Sequence, residues 1–340
     1  MSGPVSPSIK ELAPVILAEI KKARSVLLHC HPKPDPDSVG SVLATKLAIE
    51  QLGKKATVIK GDSDIPQEFM HFPGAKDIVG KHFFELDLAD YDLFICEDSS
   101  SPQMVSRQGS LGAPMPIRTV IIDHHRSSER FGHINLVVQD YPATSQILFD
   151  LFTEWGIEIT PEIASNLFVG IYSDTGGMKY MDVDAHTYEI MAGLVRIGAR
   201  PFHMLDPLEN SNTPATLAYQ AAAMNNIETF LGGKLAITSV PYGTLVEKNI
   251  TESDMNSIQL SAMLRRVIGW DVDVGMVEMK PSEIKLGFRT RNQDKYDVSR
   301  LAVAFGGGGH KAAAGAGITG KSLEEAKRLV VAKAKELYNL

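Results

Sequence analysis

At 340 residues the chain has room for two domains, with cores that need no disulfide staple. Hydrophobic residues make up 44% and charged residues 22%, ordinary globular usage that excludes a disordered or collagen-like chain. With 34 basic against 41 acidic residues the net charge is −7, which excludes a surface built to grip long duplex DNA.

After a Pro/Ser-rich start, residues 9–22 carry apolar side chains at helical spacing, and residues 25–30 form a short apolar run that reads as a strand. The start lacks the basic flank and apolar core of a signal peptide, and no apolar run approaches the ~20 residues of a membrane span. A soluble, cytoplasmic protein with no membrane partner is expected. Cys30 and Cys96 both sit in apolar runs, as buried thiols of a reducing compartment do. From Ser38 a helical pattern closes on Gly53, and a second strand follows over 54–61. Two further apolar runs, 91–96 and 118–122, stop abruptly at acids: Glu97 and Asp98 after the first, Asp123 after the second. Strands alternating with helices predict a parallel sheet, whose ligands gather beyond the carboxyl ends of the strands. Helices dominate from Thr144 to Ala199, and residues 200–213, with Pro201 and Pro207, read as a linker. The remainder reads as a helix to about Leu231, a strand over 234–243, a helix over 254–268, two strands paired around Pro281, a short helix, a glycine cluster and a terminal helix near Ser322. The expected fold is therefore α/β in two domains: a parallel-sheet catalytic domain over 1–199, a linker over 200–213, and a smaller α/β substrate-binding domain over 214–340.

Metal-ligand residue types recur at four of these element ends: His31 with Asp35 and Asp37, then Asp98, then Asp123-His124-His125, then Asp174. Carboxylates clustered at sheet ends are costly without a counter-charge and so ask for a cation. Oxygen donors mixed with imidazole suit Mn²⁺, or less well Mg²⁺, and the lack of clustered cysteines argues against a thiolate zinc site. So many ligands exceed the needs of one ion and suit two divalent ions. Near the end, Gly306-Gly307-Gly308-Gly309-His310 lets backbone N–H groups approach an anion, with His310 able to hydrogen-bond a phosphate. His71, His82, His133, His186 and His203 lack partners at ligand spacing and read as packing or surface residues, whereas His29 lies in phase with His31.

The order His-x3-Asp-x-Asp with a Gly-Ser helix start, an isolated Asp, Asp-His-His, a later Asp and GGGGH resembles the DHH phosphoesterase superfamily. Within it the chain resembles the stand-alone nanoRNase and pAp phosphatase group, over roughly residues 25–317. The resemblance implies that His31, Asp35 and a bridging Asp98 hold one metal ion, and that Asp37, Asp98, His124 and Asp174 hold the other. Asp123 would fix the ring of a neighbouring histidine and His125 would touch the scissile phosphate. In the DHH-associated C-terminal domain, Gly307, Gly308, Gly309 and His310 would bind substrate with Arg289, Arg291 or both. Pro36, Ser38 and Lys33 stand where relatives more often carry Gly, Ala and Asn, and Glu97 adds an acid beside Asp98; these departures bear on substrate choice. The implied activity is hydrolysis of short single-stranded RNA or linear dinucleotides such as pApA and pGpG to mononucleotides, with pAp as a monoester substrate. A pyrophosphate or polyphosphate phosphohydrolase, or a nucleotide binder that has lost catalysis, are the alternatives. Dimers are common among relatives, although no heptad or apolar patch in the sequence defines a homodimer.

Overall fold

The computed structural model describes residues 5–112, 115–180, 182–256 and 258–339. It consists of two compact units, the first ending at Ser211 and the second beginning at Asn212.

The first unit runs α1 (Pro7–Lys22), β1 (Ser25–His29), α2 (Pro36–Gln51), β2 (Lys55–Ile59), β3 (Leu93–Glu97), β4 (Thr119–Asp123), β5 (Ile134–Val137), α3 (Thr144–Trp155), α4 (Pro161–Asp174), α5 (Ala185–Ile197) and α6 (Pro201–Glu209). Its five strands are all parallel, in the order β2-β1-β3-β4-β5. Every residue of β3 and β4 is buried, as strands covered on both faces must be. Helix α1 buries Ile9, Ala13, Ile16 and Ile20, whose spacing of four and three residues places them on one face. Helix α2 is buried on nearly all sides and packs on α4. Two glycines permit that approach. A Cβ on Gly40 would lie 2.4 Å from the Asn166 carbonyl oxygen, and one on Gly170 would lie 2.1 Å from Ser145 Oγ and 2.5 Å from Asp37 Oδ1.

The second unit runs α7 (Pro214–Asn225), β6 (Glu228–Phe230), β7 (Leu235–Val240), α8 (Tyr242–Glu247), α9 (Glu252–Asn256), α10 (Leu260–Leu264), β8 (Val272–Lys280), β9 (Glu283–Thr290), α11 (Val298–Val303), β10 (Gly308–His310), β11 (Ala313–Thr319) and α12 (Leu323–Tyr338). Its mixed sheet has the order β10-β11-β9-β8-β7-β6, parallel only between β7 and β8. One face buries Val274, Met276, Leu286 and Phe288 against Leu301, Val330 and Ala334 of α11 and α12.

Four readings of the sequence need correction. Residues 200–213 are not all linker, because α6 occupies most of them: Pro201 sits in its first turn, where proline starts helices, and buried Met204 ties it to the first unit. The helix predicted to reach Leu231 stops at Asn225, and residues 228–230 pair with β7 as an edge strand. The single helix predicted over 254–268 is two short ones, α9 and α10; residue 257 lies outside the described residues. Strands β5, β6, β10 and β11 were not predicted, since three of them span only three or four residues, too few for a period to register, and β11 is an Ala/Gly run. Among the described residues no helix is long and apolar enough to cross a membrane.

Candidate active site

The parallel strands of the first unit release their chains on one side, and four polar segments meet there. Asp35 caps α2, its Oδ1 accepting from the Ser38 amide at 2.9 Å, which turns Oδ2 to His31 Nε2 at 3.3 Å. His31 is held in turn by its amide, which donates to Ser38 Oγ at 3.0 Å. Asp37, in the first turn of α2, is fully buried; its carboxylate accepts from the Thr144 and Ser145 amides at 2.7 and 3.0 Å. Those amides are free donors at the start of α3, so a helix N-terminus supports the charge.

Asp98 follows β3 in the left-handed backbone region, at φ 52°, a conformation aspartate tolerates better than most residues. Its two oxygens face different partners. Oδ2 lies 3.7 Å from His31 Nε2, while Oδ1 lies 3.5 Å from His124 Nε2 and accepts from Thr144 Oγ1 at 3.1 Å. Asp174, the last residue of α4, places Oδ2 3.2 Å from His124 Nε2. Asp123 ends β4 and accepts from His125 Nδ1 at 2.7 Å and from the His125 amide at 3.2 Å.

Potential ligand atoms therefore fall into three groups, each within 4.8 Å: His31, Asp35 and Asp98; Asp37, His124 and Asp174; and Asp98, His124 and His125. Burial pushes the Asp37 carboxyl well above the usual range, and the charges of Asp98 and Asp174 push it further. Asp174 is raised as well, by burial first and then by the charges of Asp98 and Asp35. Burial would also raise Asp98, but His124, His31 and His125 hold it at about 2. Burial would lower His124, yet Asp174 and Asp98 raise it to about 11. The site thus carries excess buried negative charge. His124 Nε2 has no aligned hydrogen-bond partner despite lying close to two carboxylates, and Asp123 Oδ2 is likewise unpartnered. Oxygen and imidazole donors converging on such a charge fit a divalent cation.

Sequence reasoning missed Thr144 and Ser145, which support Asp37 and Asp98 from more than forty residues away in the chain. It also missed Gly170, whose bare Cα makes room for the Asp37 carboxylate. The only available signal was the predicted helix start at Thr144, since helix N-termini attract anions. His29 is a packing residue: fully buried, Nε2 against the Met104 carbonyl at 3.1 Å, its ring edge-on to Phe94, and its pKa lowered by burial to about 4. Glu97 is buried with Oε1 accepting from Thr45 Oγ1 at 2.7 Å, and burial raises it to about 8.

In the second unit, the register aligns Asp273, Arg289, Ala313 and His310 across β8, β9, β11 and β10. Cross-strand partners project to the same face, so Arg289 and His310 share one side of the sheet. The adjoining row is Gly275, Gly287, Gly315 and Gly308. Leu260 and Ser261 of α10 lie over Gly275 and Gly287, whereas Gly315 and Gly308 are exposed. Gly308, Gly309 and His310 form an exposed edge strand, and a Cβ on Gly307 would lie 2.0 Å from the Gly315 carbonyl oxygen. Close strand approach thus accounts for glycine at 307. Arg289 donates to Gln259, and Arg291, just beyond β9, donates through Nε to the Arg265 carbonyl at 2.6 Å. Asp273 is fully buried with neither carboxylate oxygen hydrogen-bonded, and burial, opposed by Arg291 and Arg265, raises it to about 7.

The chain thus carries a parallel α/β unit, with acids and imidazoles converging at its strand ends, and a second unit built on a mixed sheet. Residues 25–171 match the DHH family, N-terminal domain, and residues 238–337 match the DHHA1 domain. The chain is a DHH-family protein carrying a DHHA1 domain. It is 27% identical to the bifunctional oligoribonuclease and PAP phosphatase NrnA of Thermus thermophilus, over 94% of this chain and 93% of that protein. It is 23% identical to the protein of the same name from Bacillus subtilis, over 90% of this chain and 92% of the relative. The crystal structure of an exopolyphosphatase-related protein from Bacteroides fragilis superimposes with a TM-score of 0.83 at 22% identity, covering 100% of both chains, a likeness of fold.

Proposed function

We propose that this chain is a divalent-metal phosphoesterase that hydrolyses short oligoribonucleotides or linear dinucleotides to mononucleotides, and pAp to AMP. The observation that carries this is Asp98, whose two carboxylate oxygens face two different ligand groups, one toward His31 and one toward His124. His31, Asp35 and Asp98 would hold one ion; Asp37, Asp98, His124 and Asp174 would hold the other, with Mn²⁺ preferred over Mg²⁺ by the imidazole content. Such ions neutralise phosphoryl oxygens and lower the pKa of water. The chain's own groups do the rest. Asp123 accepts a hydrogen bond from His125 Nδ1 and so raises that imidazole's pKa, favouring a cation whose Nε2–H can donate to a phosphoryl oxygen. Arg289 and His310 stand in the row next to Gly308 and Gly315, exposed glycines whose backbone a phosphate can approach without side-chain obstruction. The activities for which the two NrnA relatives are named support short RNA and pAp as the substrate class.

The test is hydrolysis of pApA, pGpG, a short RNA, a long RNA, pAp and pyrophosphate by metal-stripped protein resupplied with Mn²⁺ or Mg²⁺. Mononucleotides released from the short RNAs ahead of the long one are expected; turnover of pyrophosphate alone would overturn the proposal. His310→Ala is expected to raise KM for pApA about tenfold, the worth of one charge-assisted hydrogen bond, with little change in kcat. An unchanged KM on every substrate would remove His310 from recognition.

A further inference from the structure

Behind His124 lies a polar network that the metal groups do not use. His124 Nδ1 faces the Tyr141 carbonyl oxygen at 3.3 Å. A carbonyl only accepts, so Nδ1 carries the hydrogen and Nε2 is the nitrogen turned to Asp98 and Asp174. Tyr141 is held at its other end. Its hydroxyl donates to Asp150 Oδ2 at 2.6 Å and accepts from the Ser6 amide, at the start of α1, at 3.3 Å. The same Asp150 oxygen meets His186 Nε2 at 2.9 Å, and the Tyr141 and His186 rings stand edge to face. Asp150 and His186 are only 2% and 8% exposed, so solvent cannot take the place of either.

A buried acid–imidazole pair is an expensive way to fill space, because apolar residues of similar volume pack as well without the desolvation cost. What the pair adds is direction. Asp150, on α3, and His186, on α5, fix the tyrosine whose main chain meets the metal-site imidazole.

We propose that Asp150 and His186 are positioning residues for metal binding: through Tyr141 they set the ring orientation of His124. This rests on reading Asp37, Asp98, His124 and Asp174 as a metal centre. Outer partners of this kind orient ligands before the ion arrives and govern its affinity.

The experiment is titration of metal-stripped protein with Mn²⁺, followed by calorimetry and by electron paramagnetic resonance, with thermal unfolding of each metal-free variant alongside. Tyr141→Phe, Asp150→Asn and His186→Leu are expected to bind Mn²⁺ about tenfold more weakly than the parent, with an altered resonance spectrum and unchanged KM for pApA at saturating metal. His186→Gln, whose amide can donate to Asp150, is expected to keep the parent's affinity. Affinities within about twofold of the parent in Tyr141→Phe and Asp150→Asn would overturn the proposal, as would equal losses in His186→Gln and His186→Leu. A parent that binds no Mn²⁺ would instead overturn the metal centre on which the proposal rests.

Discussion

Asp98→Ala is expected to abolish metal-dependent hydrolysis without unfolding the chain. One carboxylate serves both ligand groups, so its loss strips each of a donor, and among the described residues no other acid stands close to both His31 and His124 in the same way. Charge stabilisation by such ions is worth several kcal/mol, so a loss of about 10³-fold or more in turnover is expected. The metal-free fold should tolerate the change, because Asp98 contributes to the repulsion that raises Asp37 and Asp174. Alanine at φ 52° adds a strain of about 1–2 kcal/mol, so Asp98→Asn, better suited to that backbone, is the companion variant. Both should be inactive at every Mn²⁺ concentration; activity within about tenfold of the parent in either would contradict a shared ligand.

Gly170→Ala is expected to damage the site from behind. The added Cβ would fall 2.1 Å from Ser145 Oγ and 2.5 Å from Asp37 Oδ1, so both side chains must move. Asp37 is fixed by two amides of α3, and the movement costs those bonds as well as the helix contact. Overpacking of this kind destabilises by about 1–3 kcal/mol, and displacement of a ligand should lower turnover about 100-fold. Gly193→Ala is the control: on helix α5, with nothing within 4 Å of its added Cβ, it should stabilise by about 0.5–1 kcal/mol. Thermal unfolding and Mn²⁺ affinity of the two variants separate the cases. Unchanged Mn²⁺ affinity in Gly170→Ala would show that Asp37 has room to spare.

The parallel sheet was legible because β1, β3 and β4 are apolar runs that end in acids or histidines, too short for buried helices and apolar throughout as strands covered on both faces are. The ligand-type residues were legible for the same reason: His31, Asp98, Asp123 and His124 stand where the apolar runs stop. What supports them was not. Thr144 and Ser145 reach Asp37 across 107 and 108 positions, and His186 reaches Asp150 across 36, distances over which no periodicity signals a contact. Gly40 and Gly170 look like ordinary helix glycines until α2 lies against α4. In the second unit the strand pair around Pro281 was visible in alternation, but the alignment of Arg289 with His310 depends on β10, a three-residue edge strand with no pattern of its own.

The most direct measurement is metal stoichiometry taken together with turnover. Protein stripped by chelation is titrated with Mn²⁺ while bound ion and pApA hydrolysis are followed in the same samples. About two ions per chain are expected, with no hydrolysis in the stripped protein and activity appearing as the sites fill. Hydrolysis that survives stripping, or full activity with a single bound ion, would contradict a two-ion centre built around Asp98.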